Sequence, residues 1–331
     1  MKTNLSFMTS SKLFPVAAAI ITSGFLAVAA QAASEPKQDP EAASQSKAFD
    51  TPKQAADNLL QASETFDVPG LKEILGPHSE DLVDSEDPVM DKNHAAAFVA
   101  KAKEKNTIEI DKKDPNRAIL SVGNDDLTFP IPIVKQKGKW FFDTKVGREE
   151  ILNRRIGSNE LDAITICRGF DEAQHGYAQE LHDDSKVHQY AQKILSTSGK
   201  HDGLAWQNPD GAWGGPVGEE VAKALEESYK AEPGTPYHGY YFKVLKGQGP
   251  AAPMGEMDFV VGGAMIGGFA LVAAPADYRV TGVETFMVGP DGVVYQKDLG
   301  PDTLKTFQSM DKYNPDKTWE ETDDDVEDSG D

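Results

Sequence analysis

The chain has 331 residues and a formal net charge of −21, with 54 acidic against 33 basic side chains. A body this acidic repels phosphate backbones and anionic lipid, which argues against nucleic acid or an anionic membrane surface as partner. The single cysteine, Cys167, excludes an intrachain disulfide, so stability has to come from a buried core, for which the chain is long enough.

Residues 1–32 read as a signal peptide. Lys2 and Lys12 supply the basic start, Leu13 to Ala30 is an apolar run, and Ala30-Gln31-Ala32 fits the small-x-small cleavage rule. The expected location is periplasmic or secreted, with no membrane span left after cleavage. Residues 33–48, rich in Ser, Gln, Pro and Glu, read as a disordered linker.

Structure is expected from Phe49. Thr51 followed by Pro52 is an N-cap with proline at the first helical position, and Ala55, Ala56, Leu59, Leu60 and Ala62 continue as a helical stripe. Leu71, Ile74 and Leu75 make a short helix ended by Gly76-Pro77. Asp91 is read as the cap of a third helix running to Lys103, with Ala95, Phe98, Val99 and Ala102 inward. Strand-like runs follow at Thr107–Asp111, Arg117–Val122, Leu127–Lys135 and Trp140–Asp143, separated by Asp-Pro-Asn, Gly-Asn-Asp and Lys-Gly turns. Helices followed by a curved antiparallel sheet make 49–146 an α+β domain.

A long helix is expected over 148–182, opened by Gly147 and open to a kink at Gly157. Its apolar stripe is Ala163, Cys167, Phe170, Gln174, Tyr177 and Leu181. Short helices are expected around Gln189–Ser196 and Glu219–Tyr229. The strands of a C-terminal antiparallel meander then fall at Tyr237–Lys246, Gly268–Ala274, Val283–Val288 and Val293–Asp298, with Pro290-Asp291-Gly292 as a hairpin turn. The second α+β domain spans 147–315, and 316–331 reads as a disordered acidic tail.

Three resemblances attach to these residues. TPKQAADNLLQA, the IPIVKQKGKWFFDT hairpin and the order of elements resemble the cone of nuclear-transport-factor-like folds, whose interior serves as a pocket or as a plain core. NELDAITICRGFDEAQHGYAQ and the meander are similar to type IV pilin-like headpieces, the signature falling on Asn159, Glu160, Ala163, Ile164, Cys167 and Arg168. The charged GREEILNRRIGS and a whole preceding domain depart from the apolar half-helix of pilins and argue against filament assembly by that route. The stretches LGPHSEDLVDSEDPVMD, REEILNRRIGSNELDAI, GKHDGLAW and PYHGYYFKVLKGQG resemble an exported bacterial family of unknown function, domain of unknown function 2950. That resemblance implies an envelope location and no particular activity.

No catalytic, cofactor or metal motif stands out. Cys167 lies on the apolar stripe and reads as core. His175 and His182, seven residues apart, would sit roughly 10 Å apart on a helix, too far to share one ion. His182, Asp183, Asp184 and His188 read as a solvated turn, and Thr197-Ser198-Gly199-Lys200 lacks the rest of a phosphate loop. The candidate surface is a polar-aromatic set: Lys200, His201, Asp202, Gly203, Trp206, Trp213, Tyr237, His238, Tyr240 and Tyr241. Gathered in one groove, it would suit a small ligand or a glycan, with His201, Asp202 or His238 available for acid–base work. Scattered, the same aromatics would pin a loop to the sheet.

The expected function is a non-enzymatic envelope protein acting as a binding or structural module, without cofactor, with an envelope protein or a small ligand as partner. A hydrolase using the His201/Asp202/His238 region and an accessory of a pilin-like or secretion system are the alternatives.

Overall fold

A computed structural model describes residues 46–85, 87–218 and 236–322. The signal peptide, most of the linker, the helix expected around Glu219–Tyr229 and residues 323–331 of the tail lie outside the described residues. The protein is α+β and divides into two compact units at Arg155/Ile156, within the long helix, against an expected boundary at 146/147.

The N-terminal unit begins with four helices, α1 (Pro52–Glu64), α2 (Val68–Leu75), α3 (Glu80–Val83) and α4 (Pro88–Glu104). Thr51 caps α1 as expected, its hydroxyl accepting from the Gln54 N–H at 3.1 Å. Gly76 ends α2 with φ 76°, a left-handed conformation in which a side chain would be strained. The cap of α4 is Asp87, not Asp91. Asp87 accepts from Val89 N (3.2 Å) and Met90 N (3.0 Å), and Pro88 takes the first helical position. Asp91 sits one turn further in, where its carboxylate is free to bind elsewhere.

Five strands follow: β1 (Asn106–Ile110), β2 (Arg117–Val122), β3 (Leu127–Thr128), β4 (Ile133–Gln136) and β5 (Lys139–Phe142). The antiparallel order is β1-β2-β4-β5, with β3 on the far half of β2. Lys137 (φ 49°) and Gly138 (φ 83°) close the β4–β5 hairpin with both central residues left-handed, as a two-residue type I′ turn requires. Alternate residues of β2, namely Ala118, Leu120 and Val122, are buried. They meet Ala55, Leu59, Ile74 and Phe98 from the helices in one core. The expected linker is already tied down at its end. Lys47 N–H donates to the Glu73 carbonyl at 3.0 Å, and Phe49 exchanges both backbone bonds with Trp140.

Helix α5 (Thr144–Tyr177) opens earlier than Gly147 suggested, because Asp143 accepts from Val146 N at 3.2 Å. It runs through Gly157 as one helix. Among the described residues no helix is long and apolar enough to cross a membrane.

In the C-terminal unit, β6 (Trp206–Gln207) and β7 (Trp213–Gly214) pair as a small hairpin. Then come β8 (Tyr240–Leu245), β9 (Gly247–Gln248), β10 (Met257–Asp258), β11 (Val260–Val261), β12 (Ala264–Met265), β13 (Ala270–Pro275), β14 (Glu284–Val288), β15 (Val294–Asp298), helix α6 (Thr303–Ser309) and β16 (Glu320–Glu321). The meander is a five-stranded antiparallel sheet in the order β16-β15-β14-β13-β8. Every residue of β13 is buried, which explains its unbroken apolar sequence ALVAAP. Tyr240 and Phe286 lie on one face with rings 5.9 Å apart, in a core with Cys167, Phe170 and Tyr177 of α5. On the other face Phe307 of α6 stacks on Tyr241, and Lys243 Nζ lies 5.0 Å from its ring centroid.

Two expectations change here. Residues 189–196 form no helix. Tyr190 and Leu195 instead make single bridges to Met265 and Ala205, which give this backbone the partners a helix would have supplied. The tail does not begin at 316, because β16 pairs with Tyr295 and Gln296 of β15.

Candidate functional site

The polar-aromatic set does not come together as one groove. Its histidines settle at two separate places along α5. Toward the C-terminus of that helix, the Tyr177 hydroxyl donates to the His201 carbonyl at 2.5 Å, and the His201 ring lies 4.5 Å from Trp206. The His201 N–H is taken by Asp183 at 3.0 Å. Asp202 clamps its own loop, accepting from Thr197 N (2.7 Å), Thr197 Oγ1 (2.9 Å) and Lys193 Nζ (2.8 Å). The Lys200 backbone turns on Thr197, and Gly203 packs against the Leu195 and Ser196 backbone, where a Cβ would sit at 2.7 Å. Trp213 pairs opposite Gln207 in the small hairpin.

His238 is elsewhere. Its Nδ1 meets Asp162 Oδ2 at 2.5 Å, and its ring lies 4.3 Å from Tyr237. Asp162 and Tyr177 are fifteen residues apart on one helix, about 22 Å at ~1.5 Å per residue. Among the described residues no hydrogen bond, ion pair or ring contact joins His201 or Asp202 to His238. The acid–base pairing of His201 or Asp202 with His238 is therefore not formed. Tyr240 is buried, with its hydroxyl donating to the Glu284 carbonyl at 2.9 Å, and Tyr241 lies under Phe307. These aromatics hold the layers together.

The histidines after α5 are also accounted for. His182 Nε2 meets the Tyr177 carbonyl at 2.8 Å and His188 Nδ1 the Ala178 carbonyl at 2.9 Å, so both satisfy carbonyls that the helix end leaves open. Cys167 is fully buried, and burial pushes its thiol up to about 12, which keeps it protonated and inert.

A concavity does lie in the N-terminal unit, away from the polar-aromatic set. Helices α1 to α4 leave a cavity of about 280 Å³ against the segment between β3 and β4. It stands near the lower end of small-molecule sites. Its walls are apolar: Leu59 and Leu75 from the first helices, Leu82 and Met90 beyond, and Phe98 and Ile131 beneath. Phe129 completes the floor, 5.3 Å from Phe98 and 6.2 Å from Phe142.

Polar groups line part of the same wall. Asp91 accepts from the Ser85 hydroxyl (2.6 Å) and the Ser85 N–H (2.9 Å). Asp81 is held in a fork by Arg148, at 2.5 Å and 3.0 Å, and that hydrogen bonding keeps its carboxyl below the usual range. Arg148 also donates to the His78 carbonyl. His94, one turn after Asp91, faces the cavity with no hydrogen-bond partner, and its Nδ1 is sealed from water. Burial lowers its pKa despite the nearby Asp91 and Asp87 carboxylates, which favours the neutral ring. The signal in the sequence was the stripe Ala95, Phe98, Ala102. Continued one turn back, it reaches Asp91 and His94.

A second feature is a half-buried polar contact between α5 and the chain entering β14. Asn159 Nδ2 donates to the Thr281 carbonyl at 2.8 Å, and Glu160 Oε1 accepts from Val283 N (2.8 Å) and Glu284 N (3.1 Å). Burial raises both carboxyls, Glu284 to about 7, with Glu160 and Asp298 adding repulsion. Gly239 and Gly282 give this contact room. A Cβ on Gly239 would lie 2.6 Å from Asn159 Nδ2, and one on Gly282 would lie 2.1 Å from the Tyr240 hydroxyl. The asparagine and glutamate of the expected headpiece signature thus fasten the helix to the sheet.

The described residues define an α+β chain with an apolar cavity in its N-terminal unit. Residues 46–322 match the family model described as Protein of unknown function (DUF2950), and the chain belongs to that family. No curated protein and no solved structure matches it.

Proposed function

We propose that this chain is an exported, non-enzymatic binding module whose N-terminal unit takes a small, largely apolar ligand. The observation that carries the reading is the cavity of about 280 Å³, with apolar walls and few polar groups. Four helices laid over a curved sheet support reading this unit as a cone of the nuclear-transport-factor-like kind, with its interior used as a pocket. The long helix and meander support a pilin-headpiece-like scaffold for the second unit, used without filament assembly. The basic start, apolar run and small-x-small site of residues 1–32 support export, to the periplasm or beyond.

The test is a thermal-shift screen of small apolar compounds against the native chain and the Ala95→Trp variant. Ala95 lines the cavity, and an indole there fills it. Ligands of the cavity raise the melting temperature of the native chain and leave the variant unmoved. A screen in which every hit shifts both proteins equally refutes the reading.

A further inference from the structure

We infer that the cavity of the N-terminal unit selects a neutral amphipath, an apolar body bearing one hydroxyl or carbonyl, and that His94 is its recognition residue. The inference rests on the cavity being a ligand site, as proposed above. Two independent facts set the head-group chemistry.

The first is the state of His94. Its ring lines the cavity, yet Nδ1 is shut off from water and unpaired. Nε2 is therefore the nitrogen that a guest can reach. A neutral imidazole carries one proton. On Nδ1 that proton would be a buried donor without an acceptor, whereas on Nε2 it leaves only a bare lone pair buried. The stable tautomer therefore presents Nε2–H to the cavity, a donor that calls for an acceptor on the ligand.

The second is the charge beside it. Asp81 and Asp91 line the same cavity, and Asp87 stands close enough to act on His94. Arg148 is committed to Asp81 and the His78 carbonyl, and both Asp91 oxygens are engaged by Ser85. A carboxylate guest could accept from Nε2–H but would meet these charges in a partly desolvated site. An ammonium guest would suit the charges but has no lone pair for Nε2–H. A hydroxyl or carbonyl satisfies both conditions, and the apolar walls take the remainder of the molecule.

The experiment is calorimetric titration of the full chain at pH 7 with three probes sharing one eight-carbon body: 1-octanol, octylamine and octanoate. The native protein binds 1-octanol most tightly. His94→Phe keeps the ring volume and removes the donor, and it weakens 1-octanol by roughly fivefold, the worth of one hydrogen bond. His94→Gln, which restores an N–H donor, recovers part of that affinity. Octanoate or octylamine binding the native protein as tightly as 1-octanol overturns the head-group inference while leaving the cavity a ligand site, as does a His94→Phe variant with unchanged 1-octanol affinity. If none of the three binds, the cavity is not a ligand site for such molecules and both readings fall.

Discussion

The Glu284 carboxyl makes the C-terminal unit lose stability as pH rises, and Glu284→Gln removes its share of the loss. The side chain is partly buried on β14, with burial, Glu160 and Asp298 raising its pKa from 4.5 to about 7. Between those values the folded state holds a proton that the unfolded chain has released, so the stabilisation is complete below pH 4.5 and lost as pH climbs through 7. Converted directly, the shift would amount to ~3 kcal/mol, but solvent reaches part of the group and the screened value is about 1–2 kcal/mol. Urea unfolding at pH 4.5, 6 and 8 measures it. Tryptophan fluorescence weights the correct unit, since Trp206, Trp213 and Trp319 belong to it and Trp140 to the other. The mutant and native proteins match at pH 4.5, and the mutant is the more stable at pH 8. Taking that difference cancels His94, whose lowered pKa acts with the opposite sign in part of this window. A mutant with no gain at pH 8 refutes the burial argument.

Other perturbations follow from single contacts. Gln174→Leu strips both hydrogen bonds from the Ala191 backbone, at 2.8 and 2.9 Å, and costs about 2–4 kcal/mol in urea unfolding. Gly282→Ala drives a methyl into the buried Tyr240 hydroxyl, which its bond to the Glu284 carbonyl holds in place; a loss of about 2–3 kcal/mol is expected by thermal melting. Asp87→Ala uncaps α4 and costs about 1 kcal/mol by the same assay, whereas Asp91→Ala leaves the cap intact.

Much of the fold was legible because its signals are local. The Lys-Gly hairpin, the Thr-Pro helix start and the alternation of β2 each lie within a few residues. Local signals misplaced the ends. Asp91 resembled a cap in sequence, but Asp87 stands directly before Pro88, where the open N–H groups are. Residues 189–196 read as a short helix, but Ala191 and Ile194 are buried in the core of the C-terminal unit, with Tyr190 packed beside them. Glu320 and Glu321 read as tail because nothing nearby signals an edge strand. The site was hardest to see. Four helices and the floor beside the sheet each contribute a few apolar residues to the cavity, and any of these residues alone reads as ordinary core. The polar-aromatic set had the composition of a pocket, but its partners on α5 lie about 22 Å apart, a separation that sequence spacing does not reveal.

The most direct test of the central claim is methyl NMR of the chain during 1-octanol titration. The Met90, Leu59 and Leu82 methyls face the cavity, and their resonances shift together in saturable fashion, while those of the C-terminal unit, such as Leu271 and Met287, stay fixed. Shifts spread over both units, or a Met90 methyl unmoved at saturation, would contradict a ligand site in the N-terminal unit.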